Sequence, residues 1–339
     1  MTRLWDTDSR GKVRVAMHHI TDLKKVSKEI AKGLLTLKER IEAAKVPSSK
    51  LDETFNLATW NIRELGKKAR TPAAIHYLAE VLGQFDLIGL VELRDDLRDL
   101  RRILEVLGPY WRAVYSDALL DAGGNRERVA YLYDKRQMVF NGMASMAFAR
   151  RSKQGSEWIP DFNWWRPPYV ASFKSGSFDF VVVTTHIRWG ESESGREPEL
   201  KALAEWAADK QQLFSKDKRA FDDEDLFVMG DFNIPSTRSP LFKAITSTGL
   251  KVPTALAKQD LGSNLEKDKR YDQILHLPHY PENFTNQGGV LDFYAGDHKK
   301  LFPTLSKQEF TFQMSDHLPL WVQVNTDIDG KRLDQIIQG

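Results

Sequence analysis

Short apolar runs of strand length, separated by helical stretches and polar loops, constrain the fold of this 339-residue chain more than any other feature. Such alternation predicts a layered α/β domain that begins near Thr54. Polar, glycine-rich segments at 150–157 and 281–290 are predicted as loops. Helices are predicted at about 72–82, 94–107, 197–216 and 239–248. The predicted strands are Thr54–Trp60, Phe85–Val91, Glu127–Tyr133, Pro168–Phe173, Phe178–Thr185, Asp225–Met229, Tyr271–Leu275 and Leu318–Val324.

Residues 1–50 differ in charge from the rest of the chain. They hold 12 Lys and Arg against 6 Asp and Glu, and the remainder holds 37 against 41, so the whole chain carries only +2. An apolar stripe from Ile20 to Ala44 predicts an amphipathic helix over about 16–45. We therefore expect a basic helical extension at 1–50, a catalytic domain at 51–325 and a tail at 326–339. The stripe either packs on its own domain or pairs with a second copy or a protein partner.

The composition excludes several classes of protein. The chain has no cysteine, which excludes disulfides, zinc-thiolate sites and cysteine nucleophiles, so any metal must bind oxygen or imidazole ligands. No run of about 18 apolar residues is present, which predicts that no segment spans a membrane. The first residues are acidic and lack an apolar core, so they do not read as a secretory signal. A cytoplasmic location is expected.

Several predicted strands end on a polar residue that can titrate or bind a metal ion. Asn61, Glu92, His186 and Asp231 each follow an apolar run, and Asn233 comes two residues after Asp231. Ligand groups converge at the ends of strands in a packed sheet. Because alternate residues of an extended segment point the same way, Asp231 and Asn233 can serve one small volume. These side chains are therefore predicted to lie close together.

An acid and an imidazole stand side by side before the last strand, in Ser315-Asp316-His317. An oxygen ligand there suits a hard divalent cation such as Mg²⁺, which binds one or two carboxylates and keeps several waters. The imidazole remains free for proton transfer.

Six segments in order resemble the motifs of the endonuclease/exonuclease/phosphatase superfamily, whose members include enzymes like pancreatic deoxyribonuclease. The resemblance covers about residues 54–325, and the pairing of Gly-Asp-Phe-Asn with a later Ser-Asp-His is its most specific part. It implies a four-layer αββα sandwich of two packed mixed sheets and Mg²⁺-dependent phosphoester hydrolysis, with Mn²⁺ as a substitute ion. The segments are Trp60-Asn61-Ile62, Val91-Glu92, Thr185-His186, Gly230-Asp231-Phe232-Asn233, Tyr271-Asp272-Gln273-Ile274 and Ser315-Asp316-His317.

The resemblance also implies a role for each site residue. Glu92 matches the principal metal carboxylate, with Asn61 and Asp316 completing or orienting the metal site. His186 and His317 match the catalytic imidazoles, and Glu127 and Asp272 match their respective carboxylate partners. Asp231 and Asn233 match residues that bind the scissile phosphate, the attacking water or a second cation. Arg166 resembles the arginine that deoxyribonuclease-like members present to a backbone phosphate. These assignments supply a base, an acid and charge neutralisation for in-line attack by water on phosphorus.

Arg63 and Arg188 are candidates to complete a phosphate clamp with Arg166, because arginine binds phosphate oxygens bidentately. Alternatively, they form surface ion pairs with Glu64, Glu191 or Glu193. His186 argues against the abasic-site endonuclease branch of the superfamily, which has other polar residues at that position.

Three hypotheses of function follow. The first is a Mg²⁺-dependent nuclease that cleaves nucleic acid, with DNA favoured over RNA. The second is a phosphodiesterase or phosphatase acting on a lipid or inositol phosphate, like a sphingomyelinase, which requires an exposed apolar hairpin that the sequence does not predict. The third is a binding module that keeps the fold without activity, and the complete set of motif residues argues against it.

Overall fold

The computed structural model of the protein describes residues 26–119, 125–190, 192–216, 225–259, 261–277, 283–327 and 329–338. The strands are β1 Thr54–Leu65, β2 Leu87–Leu93, β3 Trp111–Tyr115, β4 Arg128–Asp134, β5 Val139–Met146, β6 Arg151–Gln154, β7 Glu157–Pro160, β8 Tyr169–Ser175, β9 Phe178–His186, β10 Asp225–Asp231, β11 Asp272–Leu277, β12 Phe284–Val290 and β13 Leu320–Asn325. The helices are α1 Lys28–Ala43, α2 Pro72–Leu82, α3 Arg98–Leu107, α4 Glu197–Lys216, α5 Pro240–Ile245, α6 Thr254–Ala257, α7 Lys307–Gln313 and α8 Asp329–Gln338, with a 3₁₀ turn at Glu193–Gly195.

Two mixed sheets form the centre of the fold. A six-stranded sheet has the order β12-β13-β1-β2-β4-β3, and a five-stranded sheet has the order β11-β10-β9-β8-β5. The pairs β1–β2 and β9–β10 are parallel, and the other neighbours are antiparallel. The strands β6 and β7 pair only with each other, as a hairpin.

The period of two along the strands divides the core into three parts. In β1, Phe55 and Leu57 face the other sheet, whereas Ala58 and Trp60 face the helices. Buried side chains between the sheets form one cluster, which includes Tyr131, whose hydroxyl donates to the carbonyl oxygen of Tyr169 at 2.6 Å. A second cluster lies under α1, α2 and α3 on the six-stranded sheet, and a third under α4 and α5 on the five-stranded sheet. Helix, sheet, sheet and helix layers confirm the predicted four-layer sandwich.

Helix α1 packs on the domain that follows it. Its buried residues Leu34, Leu37 and Ile41 join the cluster that contains Tyr77 of α2. Arg40 donates to the carbonyl oxygens of Phe293 and Asp297, both at 2.8 Å. This part of the apolar stripe is therefore covered by the same chain.

A continuous helix over 16–45 is wrong. Ser27 caps α1 through its hydroxyl, which accepts from the amide of Ile30 at 3.3 Å, so the helix begins at Lys28. The predicted portion at 16–25, with Ile20 and Leu23, lies outside the described residues.

Each predicted strand and each predicted helix between 51 and 325 overlaps an observed one. Two predicted loops are wrong: the segment 150–157 contributes to the β6–β7 hairpin, and 281–290 contains β12. Both strands of the hairpin are exposed and show no alternation of apolar and polar residues, and β12 contains two glycines at the edge of its sheet. Within the described part of the chain, no helix has the length and apolar character needed to cross a bilayer.

Candidate active site

The polar strand ends meet at one edge of the two sheets. The parallel pairs β1–β2 and β9–β10 bring the carboxyl ends that carry Asn61, Glu92, His186 and Asp231 to this edge. Antiparallel partners bring their amino ends to the same place, which adds Glu127 before β4, Asp272 at the start of β11 and His317 before β13. His186 continues the inner face of β9 two residues after Thr184, so it points between the sheets.

Irregular backbone places Glu92. By alternation Glu92 would face the helices, because its neighbour Val91 faces the inner cluster. The register shifts between Asn61 and Leu65 and between Leu90 and Leu93, and Glu92 has a φ of +64°. Bulges redirect side chains in this way. The carboxylate of Glu92 consequently contacts the amide of Asn61, with Nδ2 and Oε1 2.8 Å apart.

Three further residues at this edge share the unusual backbone. Arg63, Glu64 and Asn233 have φ values of +41°, +50° and +52°. Such conformations cost roughly 1–3 kcal/mol each in residues other than glycine. Asn233 is held by two hydrogen bonds. Its backbone N–H donates to Oδ1 of Asp231 at 2.9 Å, and its side-chain Nδ2 donates to the carbonyl of Ile187 at 2.8 Å.

The first imidazole pair is His186 with Glu127. Nδ1 of His186 lies 2.7 Å from Oε2 of Glu127, and both side chains are buried. Burial lowers the pKa of His186, but the Glu127 carboxylate outweighs it, so the pKa is raised. For Glu127, burial raises the pKa, and the opposing charges of His186 and Arg166 bring it down to about 2. Glu127 is therefore ionised, and it fixes the tautomer of His186.

The second pair is His317 with Asp272. Nδ1 of His317 lies 2.7 Å from Oδ2 of Asp272. Burial lowers the pKa of His317, and the carboxylates of Asp272 and Asp231 raise it well above its usual range. Ser315 accepts from the amide of His317 at 2.9 Å and donates to the carbonyl of Asn61 at 2.6 Å, which fixes this segment against β1.

Asp231 lies between the two imidazoles. Its Oδ2 is 3.7 Å from Nε2 of His186 and 3.7 Å from Nε2 of His317. The same oxygen accepts from Nδ2 of Asn61 at 3.0 Å. Both imidazoles thus present Nε2 to one small volume, while their Nδ1 atoms remain on the buried carboxylates.

Two overlapping groups of residues at this edge have the donor atoms of a cation site. One is Glu92, Asp231 and Asn61: Nδ2 of Asn61 donates to one carboxylate oxygen of Glu92 and to one of Asp231, which brings the two acids together, while its Oδ1 accepts from the backbone amide of Arg63 at 2.9 Å. The other is Asp231, Asp272 and His317, whose ligand atoms lie within 4.8 Å of one another. In the second group Asp272 already binds His317, so the oxygens of the first group are the better match for a hard cation.

Asp316, Arg63 and Arg188 lie at the partly exposed side of the site. Oδ2 of Asp316 pairs with Arg63 at 2.8 Å, and its side chain is 43% exposed. Arg63 also lies over the ring of Phe312. Arg188 donates to the carbonyl of Gly195 at 2.7 Å, and its guanidinium lies 5.3 Å from the ring centre of Trp165. Asp316 as a metal ligand and these arginines as phosphate ligands stay predictions.

Arg166 is buried behind the first imidazole pair. It bonds Oε1 of Glu127 at 3.0 Å and the carbonyl of His186 at 3.3 Å. Its observed contacts therefore position Glu127 and the end of β9, in addition to the predicted contact with substrate. The alternative surface ion pairs are not observed among the described residues, because Arg63 pairs with Asp316 and Arg188 with the carbonyl of Gly195. Glu191 lies outside the described residues.

Two aromatic residues at the site were not predicted from sequence. The ring of Tyr271 lies 5.9 Å from that of His317, and Trp189 packs edge-on against Tyr271 at 5.7 Å. Trp189 remains 64% exposed, at the mouth of the site. Their positions in the chain were the available indication, since Tyr271 directly precedes Asp272 and Trp189 follows His186 by three residues.

The chain belongs to the Endonuclease/Exonuclease/phosphatase family, which it matches over residues 58–317, and it is therefore a phosphoester hydrolase. Enzymes of this family generally depend on a divalent metal ion. Curated proteins gave no significant match.

Solved structures with the same fold include three at low sequence identity. A conserved protein of unknown function from Enterococcus faecalis V583 superposes with a TM-score of 0.53 at 15% identity, covering 79% of this chain and 98% of that one. Truncated TDP2 from Caenorhabditis elegans gives 0.53 at 15% identity, covering 80% and 97%. An endonuclease/exonuclease/phosphatase family protein from Bacteroides thetaiotaomicron gives 0.51 at 16% identity, covering 81% and 96%.

Proposed function

We propose that this protein is a Mg²⁺-dependent nuclease that hydrolyses phosphodiester bonds in DNA, with RNA as the second substrate to test. The observation that carries the proposal is the pair of imidazoles that face one another across Asp231, each backed by a buried carboxylate. Hydrolysis of a phosphodiester needs a base for the attacking water and an acid for the leaving oxygen. Two Nε2 atoms that share one small volume meet both needs.

The carboxylates set the state of each ring. Glu127 and Asp272 each bind Nδ1, which orients the ring and leaves Nε2 for the reaction. One Nε2 accepts the proton of the attacking water, and the other donates a proton to the leaving oxygen. Asp231, which lies 3.7 Å from both Nε2 atoms, orients the attacking water between them. The backbone N–H of Asn233 donates to Asp231 and so positions its carboxylate.

Glu92 and Asn61, with Asp231 beside them, have the oxygen donors to hold Mg²⁺, and Mn²⁺ suits the same ligands. A cation bound there neutralises charge on the phosphate oxygens. Asp316 would complete or orient this metal site, and its carboxylate pairs with Arg63.

A nucleic acid fits the mouth of the site better than a lipid does. Arg63 and Arg188 are partly exposed, and the exposed ring of Trp189 packs against Tyr271 next to His317, a combination that suits phosphates flanked by stacked bases. A lipid substrate calls for an apolar docking hairpin, and the β6–β7 hairpin does expose Trp158 and Ile159. However, they pair with Lys153 and Ser152 and so lie on opposite faces, and polar Gln154 and Glu157 flank the turn.

The cytoplasmic location and a partner of residues 16–45 stay predictions.

The test is a cleavage panel. The purified full chain is incubated with supercoiled plasmid, linear duplex, single-stranded DNA and RNA, in the presence of Mg²⁺, Mn²⁺ or EDTA. We expect cleavage with either ion, none with EDTA, and a loss of about 10²–10⁴-fold in His186→Ala and in His317→Ala. His298→Ala is the matched control, because His298 hydrogen-bonds the carbonyl of Leu305, outside the candidate site.

Two results contradict the proposal. The first is nuclease activity that persists in both His186→Ala and His317→Ala, which would identify a contaminant. The second is turnover of phospholipid or inositol phosphate with no cleavage of any nucleic acid, since release of phosphocholine or inorganic phosphate would favour the lipid-directed alternative. Metal-independent binding of DNA without turnover would instead indicate a binding module.

A further inference from the structure

The β6–β7 hairpin emerges from the same edge of the five-stranded sheet as the catalytic side chains. Strand β8 starts at Tyr169, which pairs with Thr184 near the end of β9, and β5 ends at Met146, which pairs with Tyr169. The chain between Met146 and Tyr169 therefore leaves and re-enters the sheet at the His186 edge. In the order β9-β8-β5, the chain leaves the sheet at Met146 about 10 Å to the side of β9, which is two strand spacings.

The hairpin is fixed at its base and exposed along its length. The amide of Asp161 donates to the carbonyl of Arg150 at 2.8 Å, and Nε of Arg150 pairs with Asp209 of α4 at 3.1 Å. Phe162 packs edge-on against Trp164, which contacts the core under α4. Every residue of β6 and β7 is exposed, and the ring of Trp158 is 62% exposed. The base is thus anchored, and the two strands offer a surface that nothing in the described chain covers.

One face of the hairpin carries cations and an aromatic ring. Lys153 pairs with Trp158, and Arg151 pairs with Pro160, so these four side chains share a face. Arg151 and Lys153 form no ion pair with the described residues, whereas Arg150 pairs with Asp209. The opposite face carries Ser152, Gln154, Glu157 and Ile159. The cationic face therefore combines two free positive charges with an open indole ring.

We propose that the face of Arg151, Lys153 and Trp158 binds single-stranded nucleic acid beyond the scissile bond, an inference that rests on the proposed nuclease function. An exposed indole stacks on a base of any sequence, and the flanking cations bind the adjacent phosphates. The chain leaves the sheet about 10 Å from β9, and the hairpin strands of four residues extend about 13 Å. At roughly 3.4 Å of rise for each stacked nucleotide, a bound strand needs several nucleotides to span such lengths.

Charge and the polar turn favour nucleic acid over a lipid surface. Membrane docking needs apolar residues together at the tip, but the tip here is Gln154-Gly155-Ser156-Glu157. The two apolar side chains Trp158 and Ile159 point to opposite sides of the ribbon, so at most one of them meets a flat surface. A nucleic acid strand needs only one face.

The test compares Trp158→Ala and the double variant Arg151→Ala/Lys153→Ala with the controls Ile159→Ala and Ser152→Ala on the opposite face. Binding of fluorescein-labelled single-stranded 20-mer and 3-mer DNA to the full chain is measured by anisotropy in EDTA, at several salt concentrations. KM and kcat are measured with Mg²⁺ on the 20-mer and on bis(p-nitrophenyl) phosphate. Vesicles of phosphatidylcholine and phosphatidylserine form a parallel arm.

We expect Trp158→Ala to weaken 20-mer binding about tenfold, which is within the range for loss of one stacked base. The double variant should lower the slope of log affinity against log salt by about 1.4, or 0.7 for each lost phosphate contact. Both should raise KM for the 20-mer, leaving kcat, 3-mer binding and turnover of the small diester unchanged. The opposite-face controls should match the wild type.

The results separate this proposal from the nuclease proposal. Wild-type affinity for the 20-mer in both cationic-face variants would overturn the hairpin assignment even if DNA is cleaved. Loss of vesicle binding in Trp158→Ala with unchanged 20-mer binding would also overturn it, in favour of a lipid surface. Trp158-dependent binding of the 20-mer without any cleavage would support the hairpin assignment and contradict the nuclease function.

Discussion

In the proposed mechanism, Asp272 acts on the reaction through the ring of His317. Its Oδ2 holds Nδ1 at 2.7 Å, so Asp272→Asn would present a neutral amide in place of the carboxylate. We expect kcat to fall by roughly 10²–10⁴-fold, because the ring loses both its fixed tautomer and the stabilisation of its charged form. The melting temperature should change little by comparison. Asp268→Asn, an exposed acid that bonds Asn264, is the control. A kcat within threefold of the wild type in Asp272→Asn would contradict the assignment.

Gly230 allows β10 to approach β9 directly before Asp231. Its φ is +136°, and a Cβ added there would lie 2.0 Å from the carbonyl oxygen of Thr185. We expect Gly230→Ala to lower the free energy of unfolding by roughly 3 kcal/mol or more, since strain and a backbone clash combine. Gly142→Ala separates the two causes, because Gly142 has a φ of +93° with nothing within 4 Å. That control should cost about 1 kcal/mol in urea unfolding, and equal losses in both variants would contradict the argument.

At the scale of strands and helices, much of the site could be predicted from alternation along the chain. Asn61, His186 and Asp231 fall where inner-facing positions of buried strands reach the sheet edge, and the apolar runs before them were sufficient to predict this. Glu92 is different, because only the register shift and its positive φ turn it towards Asn61. Bulges of this kind depend on the neighbouring strand and leave no periodic trace in the sequence.

The missed strands have a different cause. An apolar pattern records burial, and β6 and β7 bury none of their residues. Strand β12 is formed by pairing with β13, and Gly288 lets it approach so closely that a Cβ would lie 2.9 Å from the carbonyl oxygen of Trp321. Such tertiary pairing overrides the low strand propensity of glycine. Arg166 was predicted at the site from the sequence, but its contact with Glu127 is a tertiary contact that the sequence did not indicate.

Asp86 connects the start of β1 to the segment before it and makes stability depend on pH. Its carboxyl oxygens accept from the amide of Asn56 at 2.7 Å and from the hydroxyl of Ser49 at 3.0 Å. Burial raises the pKa of Asp86 to about 7, against the opposing hydrogen bonds. The folded protein therefore holds a proton there that the unfolded chain has released above about pH 4. The contribution of Asp86 to stability is fully present below about pH 4 and is lost as pH rises to about 7.

Asp86→Asn copies the protonated form, because its amide can donate to Ser49 while its oxygen accepts from Asn56. We expect its free energy of unfolding, relative to the wild type, to rise between about pH 4 and pH 7 and to level off above. Urea unfolding at a series of pH values measures this difference, with the exposed Asp95→Asn as the control. A constant difference between Asp86→Asn and the wild type across this range would show that Asp86 does not titrate there.

For the whole molecule, mixed strand direction is what assembles the site. Parallel neighbouring strands have their carboxyl ends at this edge of the sheets, and antiparallel neighbours have their amino ends there. Residues from 61 to 317 therefore meet at one edge. The near-neutral total charge is consistent with such a site, because four carboxylates lie beside two imidazoles. For the polyanionic substrate proposed above, attraction would depend on local groups such as the arginines and a cation held at the site.

Substitutions in helix α1 test whether the basic first segment unfolds together with the catalytic domain. Leu37 is fully buried, and Gly33 lies so close to Tyr77 of α2 that a Cβ would overlap its hydroxyl. If α1 unfolds together with the sheets, Leu37→Ala should lower the free energy of unfolding of the whole protein by about 2–5 kcal/mol. Leu35→Ala is the matched control, since Leu35 is 66% exposed on the same helix and should change stability by less than about 0.5 kcal/mol.

Circular dichroism records α1 together with the other helices, whereas tryptophan fluorescence records mainly the sandwich, because eight of the nine tryptophans follow residue 50. Coincident shifts of both transitions in Leu37→Ala would mean that α1 and the sandwich unfold as one unit. Loss of helical signal at lower urea, with an unchanged fluorescence transition, would instead assign residues 1–50 to an independent extension. Sedimentation of the full chain against a chain of residues 51–339 completes the test. Because Leu34, Leu37 and Ile41 are covered in the same chain, we expect a monomer for the full chain, and self-association of the shortened chain through the uncovered face of α2.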